Sequence, residues 1–416
     1  MTDHEKNTPQ FVEGRSGTRR YSYEGLVERI TDAFIEENGR NPDLFRLSEG
    51  QRFALIRETM HYLLNVESIR LDLEAQVHLV ERAYSDLFGF SVLDPYLNDE
   101  TITTISIKGV EQTAIRRGHG ELVNLGQIFA DQEHLATVIQ RMLWHGNIPR
   151  ENIPEMIEMG FKVKGRPLCL SLLAPPITYD YVADLRLHPA STVSLNQLAD
   201  RGFCTQDAVG LLQKIAHSQY GFVIVGEVES GKTTLLSALL EEIDPSQNIM
   251  VIDRAGEVNL PNGVTHLAPS WGTQEEEDIS FSECILRGVS QSPHILVLDE
   301  VRTDDPSMIA PLLDSETKIR QLWAVRGAPD AKRLQNGLGM LVRRAKAGVG
   351  EQLIHAFYER LPFVITVANI QGQLKLFSIA EWQSRVDSDY PDYVMLMRYQ
   401  DGASQPTGLT SARWIT

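Results

Sequence analysis

Thiols are scarce in this chain. The only cysteines among 416 residues are Cys169, Cys204 and Cys284, far apart and without a CxxC pair, so each reads as a buried reduced thiol, and no metal site is visible. Long apolar runs are missing too. Nothing is long enough to span a bilayer, and the opening MTDHEKNTPQ lacks the apolar stretch of a signal peptide, so a cytoplasmic protein able to dock on a membrane protein is expected. Positive charge is short: 39 Lys and Arg face 56 Asp and Glu, a net of −17, which argues against non-specific binding to nucleic acid. The densest basic cluster, Arg343, Arg344 and Lys346, falls in an amphipathic pattern and reads as a solvated helix face. The rest is ordinary for a globular protein, 42% apolar and 23% charged, with a length that favours two or three domains.

Punctuation divides the chain. Residues 1–21 are polar and aperiodic and are expected to be disordered. Residues 22–95 read as a helical region: Ser22 can cap a stripe of Leu26, Ile30, Ala33 and Phe34, Ser48 to Gln51 has capping-box spacing, and a third stripe from Leu73 ends at Gly89. Residues 96–200 form a mixed α/β region, with strands ITTISI and TAIRR, a helix in DQEHLATVIQRML and a proline-broken LLAPPITYDY. From 201 to 385, helices alternate with buried strands YGFVIVG, NIMVIDR and HILVLDE, which predicts a parallel sheet flanked by helices. That region closes in a hairpin turning at Gln371-Gly372, and residues 386–416 are left as a tail.

Gly226-Glu-Val-Glu-Ser230-Gly231-Lys232-Thr233 fits the phosphate-loop (Walker A) spacing, and it follows an apolar strand and opens an amphipathic helix. Backbone N–H groups from Gly226 through Ser230 and Gly231 to Thr234 would make a positive concavity for phosphate oxygens. Lys232 would reach the β- and γ-phosphates, and the Thr233 hydroxyl would ligate Mg²⁺. Two carboxylates, Glu227 and Glu229, stand inside this loop; weakened but not abolished binding is expected from screened repulsion and from the loss of glycine's freedom. ILVLDE supplies the partner acids of a Walker B strand, Asp299 for Mg²⁺ and Glu300 for the attacking water. Asp253 and Glu257 end another apolar strand and could face the same phosphates, although surface carboxylates are the default. Glu275 to Asp278 reads as a loop and an acidic first helical turn.

With these motifs in order, the chain resembles the type II/IV secretion ATPase superfamily, particularly the tight-adherence pilus ATPases. The likeness runs from LFGFSVLDPYLND at 87 through ISIKGVEQTAIRRGHGEL, HLATVIQRML, DLRLHPASTVSLNQL and ILVLDEVR to FVITVANIQGQLKLFSIAEW, ending near 385. It implies an N-terminal α/β domain joined by a linker to a RecA-like P-loop NTPase domain, assembled as a homo-hexameric ring. It also implies ATP and Mg²⁺ as ligands, and a polytopic inner-membrane platform protein as the partner on which the motor pushes. By resemblance Glu300 takes the Walker B glutamate, Glu257 the last acid of the Asp box, and Arg186 the linker arginine that reaches nucleotide; Arg116, Arg117 and Arg166 are further candidates.

Several positions depart from the family pattern. Glu227 and Glu229 replace glycines, Arg254 stands where the Asp box has aspartate, and Ser290, Ser292 and His294 replace the residues of the LRxRPD motif. The stretch corresponding to the His box, LLDSETKIRQLWAVRGAPDAKRL, has lost its histidines, since none lies between His294 and His355; Arg326 is a candidate substitute. Two readings stay open: an active motor, supported by Lys232, Thr233, Asp299 and Glu300, and a catalytically weak nucleotide-binding paralogue, supported by the altered boxes. An ABC-type ATPase would need an LSGGQ-like signature where FSECILRGVSQSPH stands, and the acidic balance disfavours a nucleic-acid motor.

Overall fold

The structure is a computed structural model that describes residues 11–13, 20–39, 44, 47–148, 155–270, 278–302, 306–313, 318–328, 330–346, 348–385 and 388–414. Its contacts divide it into two compact units. One takes residues 1–100, 110–112 and 126–142, the other residues 101–109, 113–125 and 143–416.

The first unit opens with an antiparallel pair, β1 (Phe11–Glu13) and β2 (Arg20–Ser22), where an aperiodic stretch was expected; residues 1–10 and 14–19 lie outside the described residues. Four helices follow: α1 (Tyr23–Asn38), α2 (Glu49–Val66), α3 (Leu73–Phe88) and the short α4 (Asp94–Asn98). The starts of the first three are set by side chains that satisfy otherwise unpaired N–H groups. Ser22 accepts from Gly25, Asp72 from Ala75, and Ser48 and Gln51 cap each other reciprocally. The stripes meet in one core around Ile30, Phe34, Met60, Leu79 and Phe88. A fifth helix, α5 (Gln132–His145), belongs to this unit as far as Met142, although the sequence groups it with the strands around it. Arg141 ties it there by donating to the Gly89 carbonyl at 3.0 Å.

The second unit contains two sheets. Strands β3 (Ile102–Lys108), β4 (Gln112–Arg117), β5 (Leu122–Gly126), β6 (Met156–Val163), β7 (Arg166–Leu173) and β8 (Val182–Leu187) form a six-stranded sheet in the order β5-β4-β3-β8-β7-β6. The proline-broken stretch is the β7–β8 connection. Two helices, α6 (Leu195–Asp200) and α7 (Gln206–His217), lead into the larger sheet. It is built from β9 (Phe222–Gly226), α8 (Lys232–Leu240), β10 (Ile249–Asp253), β11 (Thr265–Leu267), α9 (Phe281–Ser290), β12 (Ile295–Val301), α10 (Ala310–Leu313) and β13 (Arg320–Arg326). It ends with α11 (Ala331–Ala345), α12 (Gly350–Arg360), β14 (Phe363–Ile370), β15 (Gln373–Arg385), β16 (Ser388–Gln400) and β17 (Ala403–Pro406).

The strand order is β11-β10-β12-β13-β9-β14-β15-β16-β17, parallel as far as β14 and antiparallel thereafter. Burial on both faces explains the unbroken apolar strands. On β9, Phe222 and Ile224 join the core under α7 and α8, while Val223 and Val225 join the opposite core under α9, α11 and α12. The β14–β15 turn has positive φ at both Gln371 (52°) and Gly372 (80°), as a two-residue hairpin with right-handed strand twist requires. The sheet does not stop at 385, where the sequence leaves a tail. β16 pairs along β15, and Arg413 reaches back to the buried Glu381 at 3.3 Å. This is the RecA-like P-loop arrangement, preceded by a smaller mixed α/β sheet and an N-terminal helical region.

Candidate functional site

The phosphate-loop sequence sits where β9 gives way to α8. Gly226 has no room for a side chain: a Cβ there would lie 2.2 Å from Ser230 Oγ and 2.8 Å from the Val367 carbonyl oxygen. Gly231 turns the chain into α8 with φ +89°. Lys232 follows and is nearly dry, 5% exposed; its Nζ donates to the Glu227 carbonyl at 2.8 Å and lies 3.4 Å from Glu300 Oε2. Of the two loop glutamates, Glu229 takes the left-handed backbone (φ +59°) that favours glycine. Its side chain is engaged, paired with Arg116 of β4 and accepting from the Thr104 hydroxyl at 3.4 Å.

Acids converge on the helix start from two adjacent strands. β10 and β12 run in register with Asp253 opposite Asp299. Thr233 Oγ1 donates to Asp299 Oδ2 at 2.9 Å, while Asp299 Oδ1 is buried without a hydrogen-bond partner among the described residues. Burial pushes the Asp299 carboxyl up, and the like charges of Asp253, Glu257 and Glu300 push it further. Asp253 is raised by burial as well, against the N–H groups of Ala255 and Val258 that donate to it. Glu257 goes the other way. Burial opposes its ionisation, yet His188 (3.4 Å) and Arg186 (3.3 Å) outweigh it and hold the carboxyl at about 2. Arg186 is raised in turn: burial disfavours its charge and Glu257 more than restores it.

Beside these groups opens a cleft of about 460 Å³, within the size range of small-molecule sites. Ser230, Gly231, Lys232, Thr233, Thr234, Arg186, Glu257 and Glu300 all face it. Gly226 lies beneath the loop and Asp299 behind Thr233. Arg116 reaches the loop through Glu229. Arg166 is buried and donates to the Ile102 and His188 carbonyls, and Arg117 donates to Thr101 Oγ1 at 2.7 Å. Arg326 stands opposite Gly226 at the end of β13, exposed and outside the cleft lining. Arg254 lies over the Phe281 ring at 4.1 Å, and its Nε donates to the Glu300 carbonyl at 3.3 Å. Arg343, Arg344 and Lys346 are exposed, as a solvated face requires, and Glu275 to Glu277 lie outside the described residues.

The family model described as Type II/IV secretion system protein matches residues 117–312, from the end of β4 through the loop and both acidic strands to α10. That stretch is thus similar to the type II/IV secretion system proteins. A Mycobacterium tuberculosis protein named for conjugal transfer is 24% identical over 225 residues, covering 52% of this chain and 63% of that one. The chain therefore matches less than two thirds of that relative's length. VirB11 of the Brucella suis type IV secretion system is 24% identical over 267 residues, 54% of this chain and 68% of its own. Among solved structures, the Brucella suis VirB11 ATPase with sulphate aligns over 70% of this chain and 95% of its own (17% identity, TM-score 0.34). The pilus retraction motor PilT with ADP aligns over 68% and 80% (14% identity, TM-score 0.48).

Within the matched stretch, sequence reasoning misses four cleft or near-cleft residues: Glu158, His188, His119 and Arg302. None belongs to a motif whose chemistry can be read locally. Arg302 ends the quoted ILVLDEVR, and His188 follows β8 directly, two residues beyond Arg186, but neither position by itself names a role.

Proposed function

We propose that the chain is an ATP-binding, ATP-hydrolysing ring motor. It would power assembly of a type IV pilus of the tight-adherence kind, or type II/IV protein secretion, from the cytoplasmic face of the inner membrane. The observation that carries this reading is the 2.9 Å hydrogen bond from Thr233 to Asp299, which brings the hydroxyl of one motif and the acid of the other to one point beside Lys232. The unpartnered Asp299 Oδ1 fits a cation there. Thr233 and Asp299 would hold Mg²⁺, which would offset phosphate charge and favour the ionised Asp299.

The chain's own groups then have distinct tasks. The loop N–H groups and the α8 N-terminus cradle phosphate oxygens. Lys232 exchanges its hold on the Glu227 carbonyl for the β- and γ-phosphates. Glu300 orients the attacking water, and Glu257, kept ionised by Arg186 and His188, fixes the linker end of the cleft. Among the described residues no helix is long and apolar enough to cross a membrane, which suits a peripheral homo-hexamer working against a polytopic platform protein.

A second reading, a nucleotide-binding subunit with weak turnover, is favoured by Arg254 at the Asp-box position and by the Glu229–Arg116 pair inside the loop. Calorimetric ATP binding and phosphate release by the full chain, beside Lys232→Ala and Glu300→Gln, separate the two. The motor reading expects binding lost in Lys232→Ala and turnover lost in Glu300→Gln. Lys232-dependent binding without turnover above the Glu300→Gln background selects the weak paralogue, and no binding refutes both.

A further inference from the structure

Glu158 on β6 lies outside every motif discussed so far. Its two carboxylate oxygens go to two different arginines, Oε1 to Arg186 Nη2 at 3.1 Å and Oε2 to Arg302 Nη2 at 2.5 Å. Each arginine also faces one of the proposed active-site acids. Arg186 Nη2 is 3.3 Å from Glu257 Oε1, and Arg302 Nε is 3.9 Å from Glu300 Oε1. The remaining oxygens end the series, Glu257 Oε2 at 3.4 Å from His188 Nε2 and Glu300 Oε2 at 3.4 Å from Lys232 Nζ. Alternating groups thus run Lys232, Glu300, Arg302, Glu158, Arg186, Glu257, His188, with Glu158 at the middle.

Backbone packing fixes that middle member. A Cβ on Gly160, two residues along β6, would lie 1.6 Å from the Ala255 carbonyl oxygen, so β6 and the turn after β10 touch main chain to main chain. The side chains of the series are between 5% and 30% exposed, which leaves their pairing less screened than a surface ion pair.

We infer that Glu158 is a positioning residue, joining the Walker B acid to the Asp-box acid through two arginines it shares between them. The role in turnover rests on the ATPase reading above. With its charge removed, Arg302 and Arg186 lose their common counter-ion and each closes on its remaining acid, which pins Glu300 and Glu257 away from their working positions. Lys232 of the phosphate loop is three links away, beyond Arg302 and Glu300, so turnover suffers far more than nucleotide binding.

The test compares Glu158→Gln, Glu158→Asp and Glu158→Gln/Glu300→Gln in the full chain, with thermal unfolding to show that each is folded. Glu158→Gln is expected to lower kcat by roughly tenfold or more, with the Kd for ATP within about twofold of wild type and partial recovery in Glu158→Asp. The double variant should be no slower than Glu300→Gln alone, because Glu158 acts through Glu300. Equal losses in binding and kcat overturn the role. A readout independent of turnover follows His188 by NMR without nucleotide: Arg302→Gln should shift its ring signals in the wild-type background and not in Glu158→Gln. No shift in wild type, or the same shift in both backgrounds, refutes the joint. If wild type does not exceed the Glu300→Gln background, the hydrolysis reading falls and the imidazole result alone decides the role of Glu158.

Discussion

Glu229 carries two burdens that its neighbour Glu227 does not. It holds a left-handed backbone and puts a carboxylate on the cleft wall, whereas Glu227 meets Lys232 through its carbonyl and does not line the cleft. A like charge a few ångströms from phosphate costs about 1 kcal/mol after screening. Glu229→Gly should therefore tighten ATP binding by roughly three- to tenfold and Glu227→Gly by less than about twofold, measured by calorimetry. A larger gain from Glu227→Gly would move the repulsion to the wrong residue. Glu257 gives a pH signature. Its carboxyl is held at about 2 instead of the usual 4.5, so the stability it contributes is complete above 4.5 and is lost as pH falls toward 2. The unfolding free energy of wild type should exceed that of Glu257→Gln by roughly 2–3 kcal/mol at neutral pH. In urea titrations that margin should shrink through this acid window and stay flat above it. Lys232, Thr233, Asp299 and Glu300 were legible because their motifs are local. Glu158 was not, since its partner Arg302 is 144 residues away and nothing near β6 marks it.

At the scale of elements, local rules carried far. Capping residues start α1, α2 and α3, and the Gln371-Gly372 turn places the β14–β15 hairpin. Where they failed, competing cues are visible. β16 contains Pro391, which removes a ladder donor and reads as a break, yet the strand lies near the sheet's edge, where proline is tolerated. Helix α5 is flanked by strands in sequence but finds its partners in the N-terminal helices. The contact of β6 with the turn after β10 depends on one missing methyl group. Gly160→Ala must separate two backbones, and backbone yields less readily than a flexible side chain. The expected outcome is a loss of about 2–3 kcal/mol in urea unfolding with turnover reduced at least as strongly as in Glu158→Gln. An Ala variant as stable as wild type would mean that β6 can retreat without consequence.

For the molecule as a whole, the net charge is −17, and among the described residues no helix is long and apolar enough to cross a membrane. The proposed ring makes a direct prediction. Sedimentation of the 46.8 kDa chain should show a species of about six copies, strengthened by ATP and weakened by Lys232→Ala. A monomer under every condition would exclude the ring. The large sheet was foreseeable from alternating helices and apolar strands, but its strand order was not, because order is set by which surfaces bury best once all strands are present.

That order has a consequence for biosynthesis. The strand that ends in the phosphate loop, β9, lies between β13 and β14, both made long after it. A nascent chain that has just released residue 231 from the ribosome has neither neighbour, and the second arrives only with residues 363–370. The loop is thus translated early and assembled late, so stalled chains lacking β14 should emerge unable to hold nucleotide.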